Sequence, residues 1–221
     1  MSDDADDVED ITSICGGLNI NIGTLNKNTI PSMFLAGKKA NELGHIVLLD
    51  PVGAGASRLR TDTANRLMQE VRFDAVRGNI SEIKTLCTGS GSAKGVDADA
   101  VDAVTEANLD DGVQLVKTFA QRAGCIVAVT GAIDLVSDGE RCWCIRNGRA
   151  EMSRITGTGC QLSALMTAFL VANPDHKLAA AAAAVCMMGL AGEIGWANMQ
   201  PGDGKWSKSN QLKGVIWERR G

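Results

Sequence analysis

Ile46-Val47-Leu48-Leu49-Asp50-Pro51-Val52-Gly53-Ala54-Gly55 is the stretch whose reading decides the fold. Its apolar run has no polar break, the pattern of a strand covered on both faces, and such strands belong to parallel sheets. The run stops at a carboxylate, a proline and two glycines, so Asp50 stands at the carboxyl end of a strand. Ala75-Val76-Arg77 and Ile126-Val127-Ala128-Val129 are further strands, leaving through the polar exits Arg77-Gly78-Asn79 and Thr130-Gly131. Upstream, Leu18-Asn19-Ile20-Asn21-Ile22 alternates and delivers Gly23-Thr24.

Helical patterns lie between these strands. The acidic opening, Asp3 to Asp10, suits the first turn of a helix leading to Ile11 and Ile14. Met33, Phe34, Leu35, Ala36, Ala40 and Leu43 predict a helix that stops at Gly44. Thr61 is the expected cap of a helix running to about Glu70. Val113, Val116, Phe119 and Ala120 mark another, ending near Gly124, and Leu135 to Ile145 reads as short antiparallel strands around Asp138-Gly139. Strands alternating with helices predict a three-layer α/β/α sandwich on a mainly parallel sheet. Ligands of such sheets collect at the carboxyl ends of the strands, where Asp50, Arg77 and Thr130 all fall.

Arg154-Ile155-Thr156-Gly157-Thr158-Gly159-Cys160-Gln161-Leu162 falls at that end too. This glycine-rich turn runs into a helix from about Gly159 to Val171, with Leu162, Leu165, Met166, Phe169 and Leu170 on one apolar face. Free N–H groups and the positive end of the helix dipole make the start, Gly157, Thr158, Gly159 and Cys160, an anion hole. The plainer alternative is that the glycines shape a turn and Cys160 is a small buried hydrophobe. Gly89-Ser90-Gly91-Ser92-Ala93-Lys94-Gly95 lacks the ending of a phosphate loop and reads as a flexible insertion.

Composition narrows the partners. With 221 residues, 45% hydrophobic and 22% charged, the chain can bury a substantial core as one large domain. A net charge of -4 argues against a nucleic-acid surface and for a small-molecule partner. Seven cysteines, an odd number without C-x-x-C pairs, and no recognisable leader point to a reducing, cytoplasmic setting. The alanine-rich run from Leu178 to Gly192 reads as too short for a bilayer and as a buried helix, so no membrane partner is expected.

Asn21-Ile22-Gly23-Thr24-Leu25-Asn26, Leu49 to Gly55, Arg77-Gly78-Asn79-Ile80-Ser81-Glu82, Val129-Thr130-Gly131 and Thr156 to Cys160, in that order, resemble the hydroxyethylthiazole kinase family of the ribokinase-like superfamily. The resemblance covers roughly Met1 to Trp196. It implies ATP-dependent phosphorylation of the hydroxyl of 5-(2-hydroxyethyl)-4-methylthiazole, with Mg2+, in thiamine biosynthesis or salvage. Arg77 and Thr130 are implied to bind ATP, Met1 and Gly157 the thiazole, and Cys160 is implied to be catalytic. Asn79 and Glu82 are implied to help place the metal and phosphates, usually through water, and magnesium's preference for oxygen ligands and retained waters suits Asp50 beside them. A homotrimer is implied as well, with the Asn21-to-Asn26 loop contributed by a neighbouring chain.

Each role has a simpler competitor: Asp50 as a turn cap, Arg77 as a surface ion pair, Glu82 as a helix cap. Competing functions are a related kinase of another heterocyclic alcohol, of the hydroxymethylpyrimidine type, or an inactive truncated fragment. Residues 1–200 are expected to form the kinase domain, N-terminally incomplete because an earlier strand, helix and Asn-rich segment are missing, and 201–221 a divergent tail.

Overall fold

The computed structural model describes residues 3–88 and 103–199. Met1, the Gly89-to-Gly95 stretch and the tail at 201–221 lie outside these residues. In chain order the elements are α1 Val8–Ile14, β1 Gly17–Asn21, α2 Thr29–Glu42, β2 Ile46–Asp50, α3 Arg58–Glu70, β3 Ala75–Gly78 and α4 Ile80–Thr88. They continue with α5 Leu109–Ala123, β4 Ile126–Val129, β5 Asp134–Ser137, β6 Cys142–Ile145, α6 Thr158–Ala172 and α7 Lys177–Ala197.

Strand order in the sheet follows chain order, β1 to β6. The first four strands are parallel, and β5 and β6 form the antiparallel hairpin. Because side chains alternate across a strand, β2, β3 and β4 each feed two cores, while β1 gives Ile20 to the first. Val47, Leu49, Val76, Val127 and Val129 join a cluster with Phe34 of α2, Leu67 of α3, Ile83 of α4 and Phe119 of α5. Ile46, Leu48, Ala75, Ile126 and Ala128 join a second cluster with Leu162 and Met166 of α6 and Val185 and Met188 of α7. The sandwich is therefore the one expected, with α6 and α7 forming one outer layer.

Four local readings need correction. The cap of α3 is Ser57, whose hydroxyl accepts from the N–H of Arg60, while Thr61 lies inside the helix and accepts the N–H of Gly55. Ile14 is 81% exposed, and α1 buries Val8 and Thr12 instead. Helix α6 has no single apolar face, because it lies on β1 and β2 and also alongside α7. It buries Ser163 and Thr167 with Leu162, Met166 and Leu170, and Leu165 and Phe169 are half-buried against the second core. Pro174–Ala197, at 24 residues, is long and apolar enough by length and composition to cross a membrane. The helix is longer than the run the sequence marks, and it is a buried one as expected, since α7 packs on α6, β4, β5 and β6.

Candidate active site

The period of two that builds the cores also builds the site. Leu48 and Ala128 point into the α6 layer, so Asp50 and Thr130, two residues on, emerge on the same side at the strand ends. Arg77 follows Ala75 in the same way, and Asn21, opposite Asp50 in the ladder, follows Ile20, which points to the other core. Four strands thus deliver Asn21, Asp50, Arg77 and Thr130 to the start of α6.

That start is shaped by two glycines. Gly157 has φ +90°, a left-handed conformation that costs any other residue about 1–2 kcal/mol. Gly159 is needed for space: a Cβ there would lie 2.6 Å from Nη1 of Arg77 and 2.8 Å from Nη2. The guanidinium therefore rests directly over the helix start. Among the described residues, no internal acceptor takes the N–H groups from Gly157 to Cys160. A cation above amides that no described acceptor takes, at the positive end of a 15-residue helix, has the electrostatics that suit an anion.

Arg77 is held from both sides. Its Nη2 donates to Oγ1 of Thr130 at 2.6 Å, and its Nη1 lies 3.6 Å from Oδ1 of Asp50. The arginine is not a surface ion pair, since its side chain is 12% exposed and Asp50 is fully buried. Oδ2 of Asp50 accepts from Nδ2 of Asn21 at 2.9 Å and from the hydroxyl of Ser163 at 2.8 Å. Burial pushes the Asp50 carboxyl above its ordinary range, and Arg77, Ser163 and Asn21 pull it back. Nδ2 of Asn21 also donates to Sγ of Cys160 at 3.2 Å. Cys160 is exposed, which removes the reading of a buried hydrophobe, and the Asn21 beside it belongs to the same chain.

Glu82 sits behind this group. Its Oε1 accepts from the N–H of Gly53 and its Oε2 from the N–H of Asn79, both at 2.8 Å, while Oδ1 of Asn79 accepts from the N–H of Glu82. The reciprocal pair is a capping box at the start of α4, and the third bond ties the Gly53 turn to it. Burial raises the Glu82 carboxyl, the N–H groups of Gly53 and Asn79 lower it, and Asp50 raises it again.

These donors decide how a magnesium ion would fit. Both Glu82 oxygens and the Asn79 oxygen are already engaged, Asp50 is sealed from solvent, and the described residues hold no cluster of three His, Cys, Asp or Glu. The arrangement suits an ion that arrives on a phosphate chain and meets the carboxylates through water.

A cleft of about 390 Å³ is lined by Arg77 and Gly159. Its walls are mixed: Met152, Val185 and Met188 supply apolar surface, and Thr130, Asp134, Arg146 and Asn147 supply polar and charged groups. Asp134 was missed in the sequence. Its Oδ1 accepts from the N–H of Gly131 at 2.8 Å, holding the Thr130 turn, and burial pushes its carboxyl up to about 6 against the pull of Gly131 and Arg77. The only signal was its place four residues after Thr130. Ser163 was missed too, although its spacing of three from Cys160 puts the two on one helix face.

A mainly parallel sheet covered by helices, with its strand ends gathered at the start of α6, is the ribokinase-like fold. Solved structures share that fold at low identity: Bacillus subtilis pyridoxal kinase has a TM-score of 0.56 at 18% identity, over 85% of this chain and 66% of its own. A structure of hydroxyethylthiazole kinase from Pyrococcus horikoshii has a TM-score of 0.83 at 32% identity, covering 99% of this chain and 77% of that one. Hydroxyethylthiazole kinase of Clostridium acetobutylicum is 52% identical over 212 residues, 96% of this chain and 78% of that protein. The profile of the hydroxyethylthiazole kinase family matches residues 1–209. The chain belongs to the hydroxyethylthiazole kinase family.

Proposed function

We propose that the chain transfers the terminal phosphoryl group of ATP to the hydroxyl of 5-(2-hydroxyethyl)-4-methylthiazole, forming the phosphate used to make thiamine. One observation carries the reading: Arg77 lies over the start of α6, whose first amides have no acceptor among the described residues, where the lining of the cleft meets the turn that carries the exposed thiol of Cys160. Phosphoryl transfer rests on positioning and on neutralising charge, and both parts are here. The nucleotide lies in the cleft with its phosphates against Arg77, Thr130 and the amides of Gly157 to Cys160. The alcohol approaches from the Cys160 side, where the thiol orients it or takes its proton. Glu82 and Asn79 would hold a magnesium ion through water, with Asp50 adding buried negative charge beside them, and the ion would supply charge neutralisation of the phosphates. The assembly we infer is a homotrimer, following the family resemblance.

Incubating the chain with ATP, Mg2+ and the thiazole tests this by phosphorus NMR. A thiazole phosphate ester is the expected product; its absence, or preference for a hydroxymethylpyrimidine, overturns the substrate. Sedimentation at a mass other than three chains overturns the trimer.

A further inference from the structure

We propose that Asn21 is a positioning residue of the transfer site: its carboxamide fixes the sulfur of Cys160 against the buried charge of Asp50, and so sets the direction in which the thiol meets the acceptor alcohol. This rests on the phosphoryl-transfer reading given above. The carboxamide has no freedom to turn. Its Oδ1 accepts from the N–H of Gly23 at 2.8 Å, and its Nδ2 has one hydrogen for Oδ2 of Asp50 at 2.9 Å and one for Sγ of Cys160 at 3.2 Å. Reversing the amide would set an oxygen against a carboxylate and an N–H against an N–H.

The consequence falls on sulfur. A thiol both donates and accepts, and an N–H arriving from one side excludes the S–H from that side. The S–H, or the lone pair that replaces it, must point away from Asn21. The sulfur is exposed, so that direction is open to an incoming hydroxyl. Asp50 makes the hold firm, because Ser163 keeps its Oδ2 in place and Arg77 stands by its Oδ1. A continuous line of contacts therefore runs from Thr130 through Arg77, Asp50 and Asn21 to Cys160. It joins the nucleotide side of the site to the acceptor side.

Asn21→Ala, Cys160→Ala and the double variant form the test, with an ATP-induced thermal shift showing that each is folded and binds nucleotide. Asn21→Ala is expected to lower kcat about tenfold while KM for ATP stays within about twofold of wild type. In the Cys160→Ala background, where no sulfur remains to be oriented, the same change is expected to lower kcat no further. Losses that multiply in the double variant, or a kcat unchanged by Asn21→Ala, overturn the proposal. A second readout needs no turnover: iodoacetamide labelling of Cys160, with exposed Cys186 as the internal control, is expected to slow about threefold in Asn21→Ala because the sulfur loses its N–H donor. An unchanged labelling rate overturns the proposal even if the wild-type chain phosphorylates no thiazole, an outcome that would defeat the substrate reading alone.

Discussion

Cys160 and Arg77 divide the work at the residue scale. Among the described side chains the thiol hydrogen-bonds Asn21 alone, so removing it leaves the Arg77–Thr130 bond and the amides in place. Cys160→Ala should therefore lower kcat by about tenfold to a hundredfold with little change in KM for ATP. Cys160→Asp supplies a ready proton acceptor at the same position and should keep activity or raise it. Steady-state kinetics check both, and equal losses through substrate binding alone would remove Cys160 from the reacting alcohol. Arg77→Ala should act on the other substrate, raising KM for ATP about tenfold or more through loss of a charged contact. It should also cost stability, because Asp50 is fully buried and loses its nearest cation. Unchanged ATP dependence would contradict the assignment.

At the scale of the element, the start of α6 separates stability from function. Gly159→Ala replaces a poor helix former with the best one, worth about 1 kcal/mol, in the first turn of the helix. Its Cβ would displace the end of Arg77, which is held by Thr130 and Asp50. Nucleotide use should fall, while the melting temperature should change little because the helix gain is set against the disturbed Arg77–Asp50 contact. Gly157→Ala meets nothing within 4 Å but must adopt φ +90°, so it should lose about 1–2 kcal/mol in denaturant unfolding. Equal behaviour of the two variants would refute this account of the turn.

The same elements show what a sequence exposes. Strand ends were legible, because an apolar run closed by Asp50-Pro51 or Thr130-Gly131 has one plain reading. Depth was not: nothing local says that Asp50 is sealed beneath Asn21 and Ser163, contacts that span 29 and 113 residues of chain. Glu82 was open to two readings, and its capping bonds come from the short-range pattern Asn79-Ile80-Ser81-Glu82, whereas its bond to Gly53 does not. Ser57 and Thr61 are both plausible caps, and only the path of the chain after Gly55 chooses between them.

Over the whole molecule, the carboxylates fall into two groups with opposite pH behaviour. Glu70 is held low by hydrogen bonds from Lys38 and Arg66, and Glu106 by those from Arg146. Their contribution is present above the ordinary carboxylate range and is lost as pH falls below it. Asp50, Glu82 and Asp134 are raised by burial, so the folded state binds their protons more tightly than the unfolded chain does. For Asp134, with a folded value of about 6 against 3.8, the stabilising protonation is complete below the unfolded value and is lost as pH rises through about 6. Between those limits the sign is fixed: stability should increase as pH falls, by at most about 3 kcal/mol from this residue. Thermal unfolding should therefore show a melting temperature that climbs from pH 7.5 toward pH 5 and drops only near pH 4, where the exposed pairs fail. Asp134→Asn keeps an oxygen for the N–H of Gly131 but cannot ionise, so it should flatten the climb around pH 6 and leave the acid limb unchanged. A climb of full size in that variant would mean that the proton is taken up elsewhere, and Asp134 would lose its place as the source of the climb.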